Sequence, residues 1–311
     1  MSAIRTDGLQ KVYGAVRALD GLTLEVAEGT VFGFLGPNGA GKSTTIRLLT
    51  GLAHPSAGRA WIAGQEVTAN CPNIKIGYLP EDPAFYTWMT PFELLDHVGR
   101  LFGLPPADRK ARCKQLLELS GLTEVRKRRI GGFSRGMRQR LGLAQALVNR
   151  PQVLFLDEPV SALDPAGRKE VLELILGLRG ECTVFMSTHI LADVERVCDT
   201  VGIINHGKLV VEARQSDLLA QYSVPAIELA CVPGQEAMLK TWADGLRSQP
   251  WLGSTTVEGC QARLVVNDMS AARGALLSSV LQVGLTLNRY EIVTPSLEDI
   301  FLRLVNKEGE A

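Results

Sequence analysis

The sequence predicts an α/β protein with a buried, mainly parallel sheet, followed by a smaller α+β domain. Three short apolar runs indicate strands that are buried on both faces, as in a parallel sheet covered by helices: Thr30–Leu35, Val153–Leu156 and Thr183–Met186. The stretch Leu22–Val26 alternates apolar and polar residues instead, which is typical of a half-exposed antiparallel strand. Near Tyr222 the pattern of residues changes, and we place a domain boundary there, giving domains 1–222 and 223–311.

The chain between and after these strands shows helical periodicity of its apolar residues. It is found in six segments, Ser43–Thr50, Pro91–Phe102, Ala107–Ser120, Ser134–Asn149, Pro165–Leu178 and Ile190–Val197. Because the region from about 91 to 150 is nearly all helical, we expect a helical subdomain inserted into the sheet domain.

The second domain begins after Ser223-Val224-Pro225, which has the composition of a linker. The order β-α-β-β-α-β is predicted beyond it, which is the ferredoxin-like pattern; an irregular α+β tail fits the same residues. The predicted elements are Ala226–Val232, Gln235–Arg247, Thr255–Glu258, Ala262–Val266, Ala271–Val283 and Thr286–Val293, with a closing helix over Ser296–Val305.

The composition excludes several classes of protein. Lys+Arg and Asp+Glu balance at 33 each, which is unlike a dedicated nucleic-acid binder, so no nucleic acid is expected as a partner. The first residues lack a signal-peptide pattern, and no apolar run reaches the roughly 18 residues of a membrane-spanning helix. We therefore expect a cytoplasmic protein. Six cysteines without metal-ligand spacing argue against a zinc or disulfide framework, and Cys182 and Cys198 are predicted to be core residues.

A phosphate-binding loop is the strongest local signal. Between a predicted buried strand and a predicted helix, the chain satisfies the G-x-x-x-x-G-K-[ST] pattern with Gly36, Pro37, Asn38, Gly39, Ala40, Gly41, Lys42, Ser43 and Thr44. The glycines let backbone N–H groups surround a phosphate at the positive end of the helix dipole. Lys42 should reach the β- and γ-phosphates and the Ser43 hydroxyl should bind Mg²⁺, so a nucleoside triphosphate is indicated.

Two adjacent acids, Asp157 and Glu158, end the apolar strand Val153–Leu156. Asp157 is placed to hold Mg²⁺. Glu158, pointing the other way along the pleat, is placed to polarise the attacking water.

Between and around these motifs the chain resembles the ABC ATPase family. The segment Phe133–Leu141 is similar to the family's Leu-Ser-Gly-Gly-Gln signature, and Ser161-Ala162-Leu163-Asp164 is similar to its D-loop. Ser187-Thr188-His189 matches the switch histidine. Lys11-Val12-Tyr13-Gly14 places an aromatic ring where the family stacks adenine, although a tyrosine near a strand turn also fits local packing. The resemblance covers roughly residues 3 to 213.

The resemblance implies a fold and a mechanism. The fold is a P-loop domain with a mixed sheet core, an antiparallel β subdomain and an inserted helical subdomain. The activity is hydrolysis of ATP with Mg²⁺, in a head-to-tail homodimer that encloses two nucleotides. Ser134 and Gly136 of one protomer would face the γ-phosphate bound by the other, together with Asp164. Glu158, His189 and Lys42 would be catalytic.

The resemblance also implies an integral membrane permease as partner, which would hold the chain on the cytoplasmic face of the membrane. The aromatic segment Phe85–Pro91 is a candidate docking site, although local burial explains it equally well. The tail Thr294–Phe301 is similar to that of bacterial drug, polyketide and polysaccharide exporters, and it favours export.

Three residues depart from the family pattern. Arg135 and Met137 replace a glycine and the glutamine of the signature, and Glu81 stands where the family has glutamine. A carboxylate also binds Mg²⁺, so Glu81 is a candidate metal ligand and γ-phosphate sensor; a solvated loop acid is the alternative.

Three other functions are disfavoured by the sequence. An ABC ATPase acting on DNA would need a coiled coil between Lys42 and Ser134, and the chain there is too short for one. A translation-associated ABC factor usually has two cassettes, and a small-molecule kinase leaves Ser134 and His189 without a role.

Overall fold

The structure, a computed structural model, describes residues 2–68, 75–161, 163–222, 226–293 and 300. The chain divides into two compact units, Met1–Gln215 and Ser216–Ala311. The division falls at the start of the helix Gln215–Tyr222, whereas the boundary inferred from the sequence follows that helix. The predicted linker 223–225 lies outside the described residues.

The first unit combines ten strands and six helices among its described residues. In chain order they are β1 (Ser2–Tyr13), β2 (Val16–Ala27), β3 (Val31–Leu35), α1 (Lys42–Leu49), β4 (Ala57–Ile62), β5 (Gln65–Glu66), β6 (Ile76–Leu79), α2 (Pro91–Leu101), α3 (Pro106–Leu119), α4 (Arg135–Ala146), β7 (Val153–Asp157), α5 (Pro165–Gly177), β8 (Thr183–Thr188), α6 (Leu191–Val197), β9 (Thr200–Asn205) and β10 (Lys208–Arg214).

A six-stranded sheet forms the centre of this unit, in the order β10-β9-β3-β8-β7-β6. All neighbours are parallel except β10, which pairs antiparallel with β9. Every residue of β3, β7 and β8 is buried, because these central strands are covered on both faces. The three predicted buried strands are therefore confirmed, and the sheet is mixed.

An antiparallel sheet, β2-β1-β4-β5, lies against this centre. In β2 the inward residues Leu22, Leu24 and Val26 are buried and alternate with exposed ones, as the sequence predicts. They share a hydrophobic core with Phe32 and Phe185 of the central sheet. Arginines and other polar residues interrupt β1 and β4, so these strands lack the apolar runs by which β3 and β7 are recognised.

Helices α2, α3 and α4 occur between β6 and β7 and form the predicted helical insertion. Helix α2 begins with a capping box: Glu93 N donates to the Thr90 side chain, and the Glu93 carboxylate accepts from Thr90 N at 2.8 Å. Pro91 occupies the first turn, where its missing N–H costs nothing.

The second unit contains α7 (Gln215–Tyr222), of which Gln215 belongs to the first unit, and a four-stranded antiparallel sheet with two helices. The later elements are β11 (Ala226–Cys231), α8 (Glu236–Gly245), β12 (Leu252–Glu258), β13 (Gln261–Val266), α9 (Met269–Val283) and β14 (Leu287–Val293). The strand order is β12-β13-β11-β14, so β13 lies between β11 and β12, and β11 between β13 and β14. The chain order β-α-β-β-α-β agrees with the prediction.

The core of the second unit lies between one sheet face and both helices. Leu239 and Trp242 from α8 pack with Leu276 from α9 against Leu229 and Leu264 of the sheet. The predicted closing helix and the tail Thr294–Phe301 lie outside the described residues, except for Ile300, which is buried.

No helix within the described ranges is long and apolar enough to cross a membrane. Cys182 and Cys198 are buried as predicted, and burial raises the pKa of the Cys182 thiol to about 11. Cys71 lies outside the described residues.

Candidate active site

Several of the predicted site segments meet at the carboxyl ends of adjacent parallel strands. The phosphate loop follows β3, and β7 ends at Asp157. The strands end level, because Leu35 lies opposite Thr188 and Asp157 opposite Ser187 in the sheet register. This edge is where open α/β sheets bind their ligands.

The conformation of the phosphate loop requires glycine at two positions. A Cβ atom at Gly36 would lie 2.4 Å from the carbonyl oxygen of Ile204. Gly41 has a φ of 111°, and a Cβ there would lie 2.6 Å from the carbonyl oxygen of Ala18. Only glycine combines this backbone angle with so close an approach, so the tight turn into α1 depends on these residues.

Lys42 begins α1 and is only 6% exposed. Its Nζ donates to the carbonyl oxygens of Gly36 at 2.7 Å and Pro37 at 3.2 Å. It also lies 3.3 Å from Oε1 of Glu158. The ammonium group is thus held at the mouth of the phosphate loop, beside an acid from the next site segment.

Asp157 and two hydroxyl groups form the polar centre of the site. Asp157 Oδ1 accepts from Ser43 Oγ at 3.0 Å and from Ser187 Oγ at 2.6 Å. Burial, and secondarily the negative charge of Asp157, raises the pKa of Tyr78 on the neighbouring strand β6. The hydrogen bond from Ser187 to Asp157 was not predicted from the sequence.

Glu158 lies at the turn that leaves the sheet, and here the structure corrects the prediction. Its φ of 47° takes it out of the strand, so the pleat alternation expected for it does not apply. Its backbone N–H donates to both Ser187 Oγ and Ser187 O, each at 3.1 Å. The carboxylate turns into the site, where Oε1 faces Lys42 at 3.3 Å and Oε2 contacts His189 Nδ1 at 2.9 Å.

These groups surround a cleft of about 340 Å³. It is lined by Ala18, Asn38, Gly39, Gly41, Lys42, Ser43, Thr44, Glu81, Glu158 and His189. Glu81 is thus brought to the predicted site. Ala18 comes from β2 in the antiparallel sheet and has no chemical signature by which the sequence would reveal it.

None of the signature and D-loop residues that the structure describes is among those lining the cleft. Ser134 is exposed and caps α4, with its Oγ accepting from Met137 N at 3.2 Å; Gly136 follows in the first turn. Asp164 caps α5 and accepts from Gly167 N at 3.0 Å. The chain therefore presents two capped helix starts away from its own phosphate loop.

Comparison with known proteins identifies the family. The ABC transporter family model matches residues 19–161. An uncharacterized ABC transporter ATP-binding protein of Bacillus subtilis, YxlF, is 40% identical over 96% of this chain and 98% of that protein. The chain belongs to the ABC transporter ATP-binding protein family.

Two other relatives of this ABC ATPase have names that state a function. The bacitracin transport ATP-binding protein BcrA of Bacillus licheniformis is 43% identical over 67% of this chain and 69% of its own length. The daunorubicin resistance ATP-binding protein DrrA3 of Streptomyces coeruleorubidus is 34% identical over 99% of this chain and 97% of its own length.

A solved structure of an ATP-binding subunit of an ABC transporter has a TM-score of 0.64 and 31% identity to this ABC ATPase, over 71% of this chain and 93% of that one. The fold expected from the family resemblance is confirmed. The chain is an ATP hydrolase of the ABC type that binds nucleotide.

Tyr13 lies at the end of β1 and is 46% exposed. The ammonium group of Lys11 lies 4.8 Å from its ring centroid. The ring is not among the groups lining the cleft of this ABC ATPase, so its predicted stacking on adenine stays a prediction.

The donor set beside the phosphate loop fits Mg²⁺. Ser43 Oγ and Asp157 Oδ1 lie 3.0 Å apart, and Glu81 lines the same cleft. Within the described ranges, no group of three or more His, Cys, Asp and Glu residues forms a protein metal site. Such a sparse oxygen set suits Mg²⁺, which usually takes one or two carboxylates and completes its shell with water and phosphate oxygens.

Proposed function

We propose that this ABC ATPase is the energy-supplying subunit of an exporter. In this proposal it works as a homodimer that encloses two Mg·ATP and drives a separate permease from the cytoplasmic face of the membrane. The observation that carries the proposal is the cluster at one cleft in which the Glu158 carboxylate lies 3.3 Å from Lys42 and 2.9 Å from His189.

Glu158 is the general base in this proposal. It is 7% exposed, and its left-handed backbone turn aims the carboxylate into the cleft. It takes a proton from water as the water oxygen bonds to the γ-phosphorus and the bond to the β-phosphate oxygen breaks. Lys42 offsets negative charge on the phosphates, and His189 contacts the γ-phosphate and orients Glu158.

Mg²⁺ would be held by Ser43 and Asp157, with Glu81 as a further ligand. When bound, it neutralises charge on the β- and γ-phosphates. The protein prepares this position through Ser187, which is fully buried and donates to Asp157 at 2.6 Å.

The homodimer is supported by the position of Ser134. The helix start at Ser134 combines a hydroxyl group, first-turn N–H groups for which the helix itself provides no acceptor, and the positive end of the helix dipole; such helix starts attract anions. Because Ser134 is exposed and does not line the cleft of its own chain, we infer that Ser134 and Gly136 face the γ-phosphate held by a second protomer. Asp164, exposed at the start of α5, would lie at the same interface.

The permease surface is supported by two exposed aromatic rings. Tyr86 is 50% exposed and Trp88 is 64% exposed, with ring centroids 5.0 Å apart. Local burial was the competing explanation for this segment, and these exposures disfavour it. Large exposed aromatics are frequent anchors of protein interfaces, so we assign them to contact with the permease.

Export is supported by the relatives BcrA and DrrA3, whose names refer to bacitracin transport and daunorubicin resistance. The match to DrrA3 covers 99% of the present chain, so the similarity includes the second unit. We infer export of a drug-like molecule, with the permease selecting it.

The test is the variant Glu158→Gln. It should bind ATP normally, hydrolyse it about 10²- to 10⁴-fold more slowly, and accumulate as a dimer with ATP in sedimentation experiments. Glu124→Gln, an exposed acid outside the cleft, is the matched control and should keep full turnover. Normal turnover by Glu158→Gln would remove Glu158 from the mechanism.

A further inference from the structure

An ion pair with a buried carboxylate joins the helices that follow the two catalytic segments. Arg168 Nε on α5 donates to Asp193 Oδ1 on α6 at 2.6 Å. The Asp193 side chain is 1% exposed and that of Arg168 is 32% exposed. Asp193 Oδ2 is buried with no hydrogen-bond partner among the described residues. Arg168 is therefore the main compensation for a carboxylate removed from water, and such pairs resist separation.

On the α5 side, hydrogen bonds at Ser161 and at Asp164 flank the segment between Glu158 and Arg168. Ser161 donates to the carbonyl oxygen of Glu158 from its N–H at 3.2 Å and from its hydroxyl at 3.1 Å. Asp164 then caps α5, and Arg168 N donates to Asp164 O at 2.9 Å. Arg168 is thus in the first turn that follows the Glu158 segment.

On the α6 side, the pair is tied to His189. The connection from β8 is tight: Ile190 N donates to Thr188 Oγ1 at 3.0 Å, and Asp193 N donates to Ile190 O at 3.2 Å. Asp193 is in the first turn of α6, so a shift of that turn moves His189 with it.

The contacts close a ring. The chain runs from Glu158 to Arg168, the ion pair crosses to Asp193, the chain returns to His189, and His189 Nδ1 meets Glu158 Oε2 at 2.9 Å. Burial raises the pKa of Asp193, and the hydrogen bond from Arg168 opposes that rise. The His189 side chain is 45% exposed, and the hydrogen bond that the structure gives its ring is this contact with Glu158.

We propose that the Arg168–Asp193 ion pair is a positioning device that holds His189 against Glu158 by fixing the first turn of α6 to the first turn of α5. Neither residue lines the cleft. The pair acts on the hydrolytic step and leaves ATP affinity unchanged. This inference rests on the proposed roles of Glu158 and His189.

The first measurement is steady-state ATPase activity of the full chain. Asp193→Asn keeps the shape of the side chain and removes its charge. Arg168→Gln removes the other partner at a half-buried position, so it serves as a second test if Asp193→Asn folds poorly. Both should lower kcat about 10- to 100-fold, the scale expected for a misplacement of about 1 Å, with KM for ATP within about twofold of the parent. Arg168→Lys keeps the charge and should recover part of the loss.

The matched control uses a second ion pair between the same helices. Arg196 and Glu173 are 3.5 Å apart and exposed, further along α6 and α5. Exposed pairs of this kind contribute little, so Glu173→Gln should leave kcat unchanged. An equal loss in this control would show that any weakening of the α5–α6 contact has the same effect, which overturns the proposal.

The second measurement separates positioning from general stability. The chain has four histidines, so the imidazole ¹⁵N resonances of the nucleotide-free protein can be assigned with His189→Gln. Asp193→Asn and Arg168→Gln should move the His189 resonances and leave those of His54, His97 and His206 in place. An unmoved His189 signal, or unchanged kcat, refutes the inference.

Glu158→Gln distinguishes the two levels of failure. If it abolishes turnover while the ion-pair variants are neutral, only the positioning role is wrong. If Glu158→Gln itself turns over normally, the proposed function fails first.

Discussion

Replacing Ser187 with alanine removes one oxygen atom from the buried centre of the site. That oxygen donates to Asp157 Oδ1 at 2.6 Å and accepts from Glu158 N at 3.1 Å. It thus connects the proposed metal ligand to the proposed general base. The side chain is 0% exposed, so water cannot replace either contact in the folded chain.

The energetic cost of Ser187→Ala follows from what each partner retains. A hydrogen bond to an ionised group contributes about 1.5–3 kcal/mol. Asp157 keeps the Ser43 hydroxyl at 3.0 Å, and Glu158 N keeps the carbonyl oxygen of Ser187 at 3.1 Å. Neither group is left unsatisfied, so we expect a loss of about 2 kcal/mol, which corresponds to about 30-fold in the unfolding equilibrium.

Hydrogen exchange detected by mass spectrometry measures this loss of stability peptide by peptide, so the signals of the two units of the chain are read separately. Peptides covering β7 and β8 should exchange about 30-fold faster in Ser187→Ala. Ser161→Ala is the control, since the Ser161 hydroxyl donates to the Glu158 carbonyl oxygen at 3.1 Å and the residue is not fully buried. A change in Ser187→Ala no larger than in Ser161→Ala would refute the reasoning.

Four further outcomes are expected. Lys42→Ala should weaken ATP binding itself, measured by calorimetry, because the ammonium group at the mouth of the loop is lost; unchanged affinity would contradict its role. Tyr13→Ala should weaken ATP binding by about 1–3 kcal/mol if the ring stacks on adenine, and no change would assign the tyrosine to packing with Lys11. Trp88→Ala should abolish transport in membranes containing the permease while basal ATPase activity remains, whereas intact transport would remove the docking surface. Glu93→Gln should destabilise the chain at neutral pH, because hydrogen bonds from Thr90, first from its backbone N–H, lower the pKa of Glu93. A carboxyl group with a lowered pKa in the folded state stabilises the fold at pH values above its ordinary pKa. The difference in thermal unfolding between Glu93→Gln and the parent should therefore vanish as the pH falls through the folded-state pKa of Glu93.

Much of the central sheet was predictable, because strands covered on both faces leave continuous apolar runs. Val153–Leu156 was predicted and β7 spans Val153–Asp157. The strands β1, β4 and β10 were not predicted. Their residues are partly exposed and mixed in polarity, so pairing with neighbours, which the sequence does not display, decides their conformation.

In the site, the phosphate loop and Asp157 carry chemical signatures within a few residues of sequence. The contact between Glu158 and His189 joins residues 31 apart in the chain, and only the order of β7 and β8 in the sheet brings them together. The backbone turn at Glu158 was also hidden, since a positive φ is expected of glycine and is uncommon for other residues.

The level ends of β3, β7 and β8 bear on how this site can change during evolution. Side chains alternate across a strand, so deleting one residue within β8 would exchange the faces of Ser187 and Thr188 and displace everything after them by about 3.3 Å. The connecting segments face no such restriction. Homologous chains should therefore vary in the length of their loops and insertions, while the number of residues in these three strands stays constant.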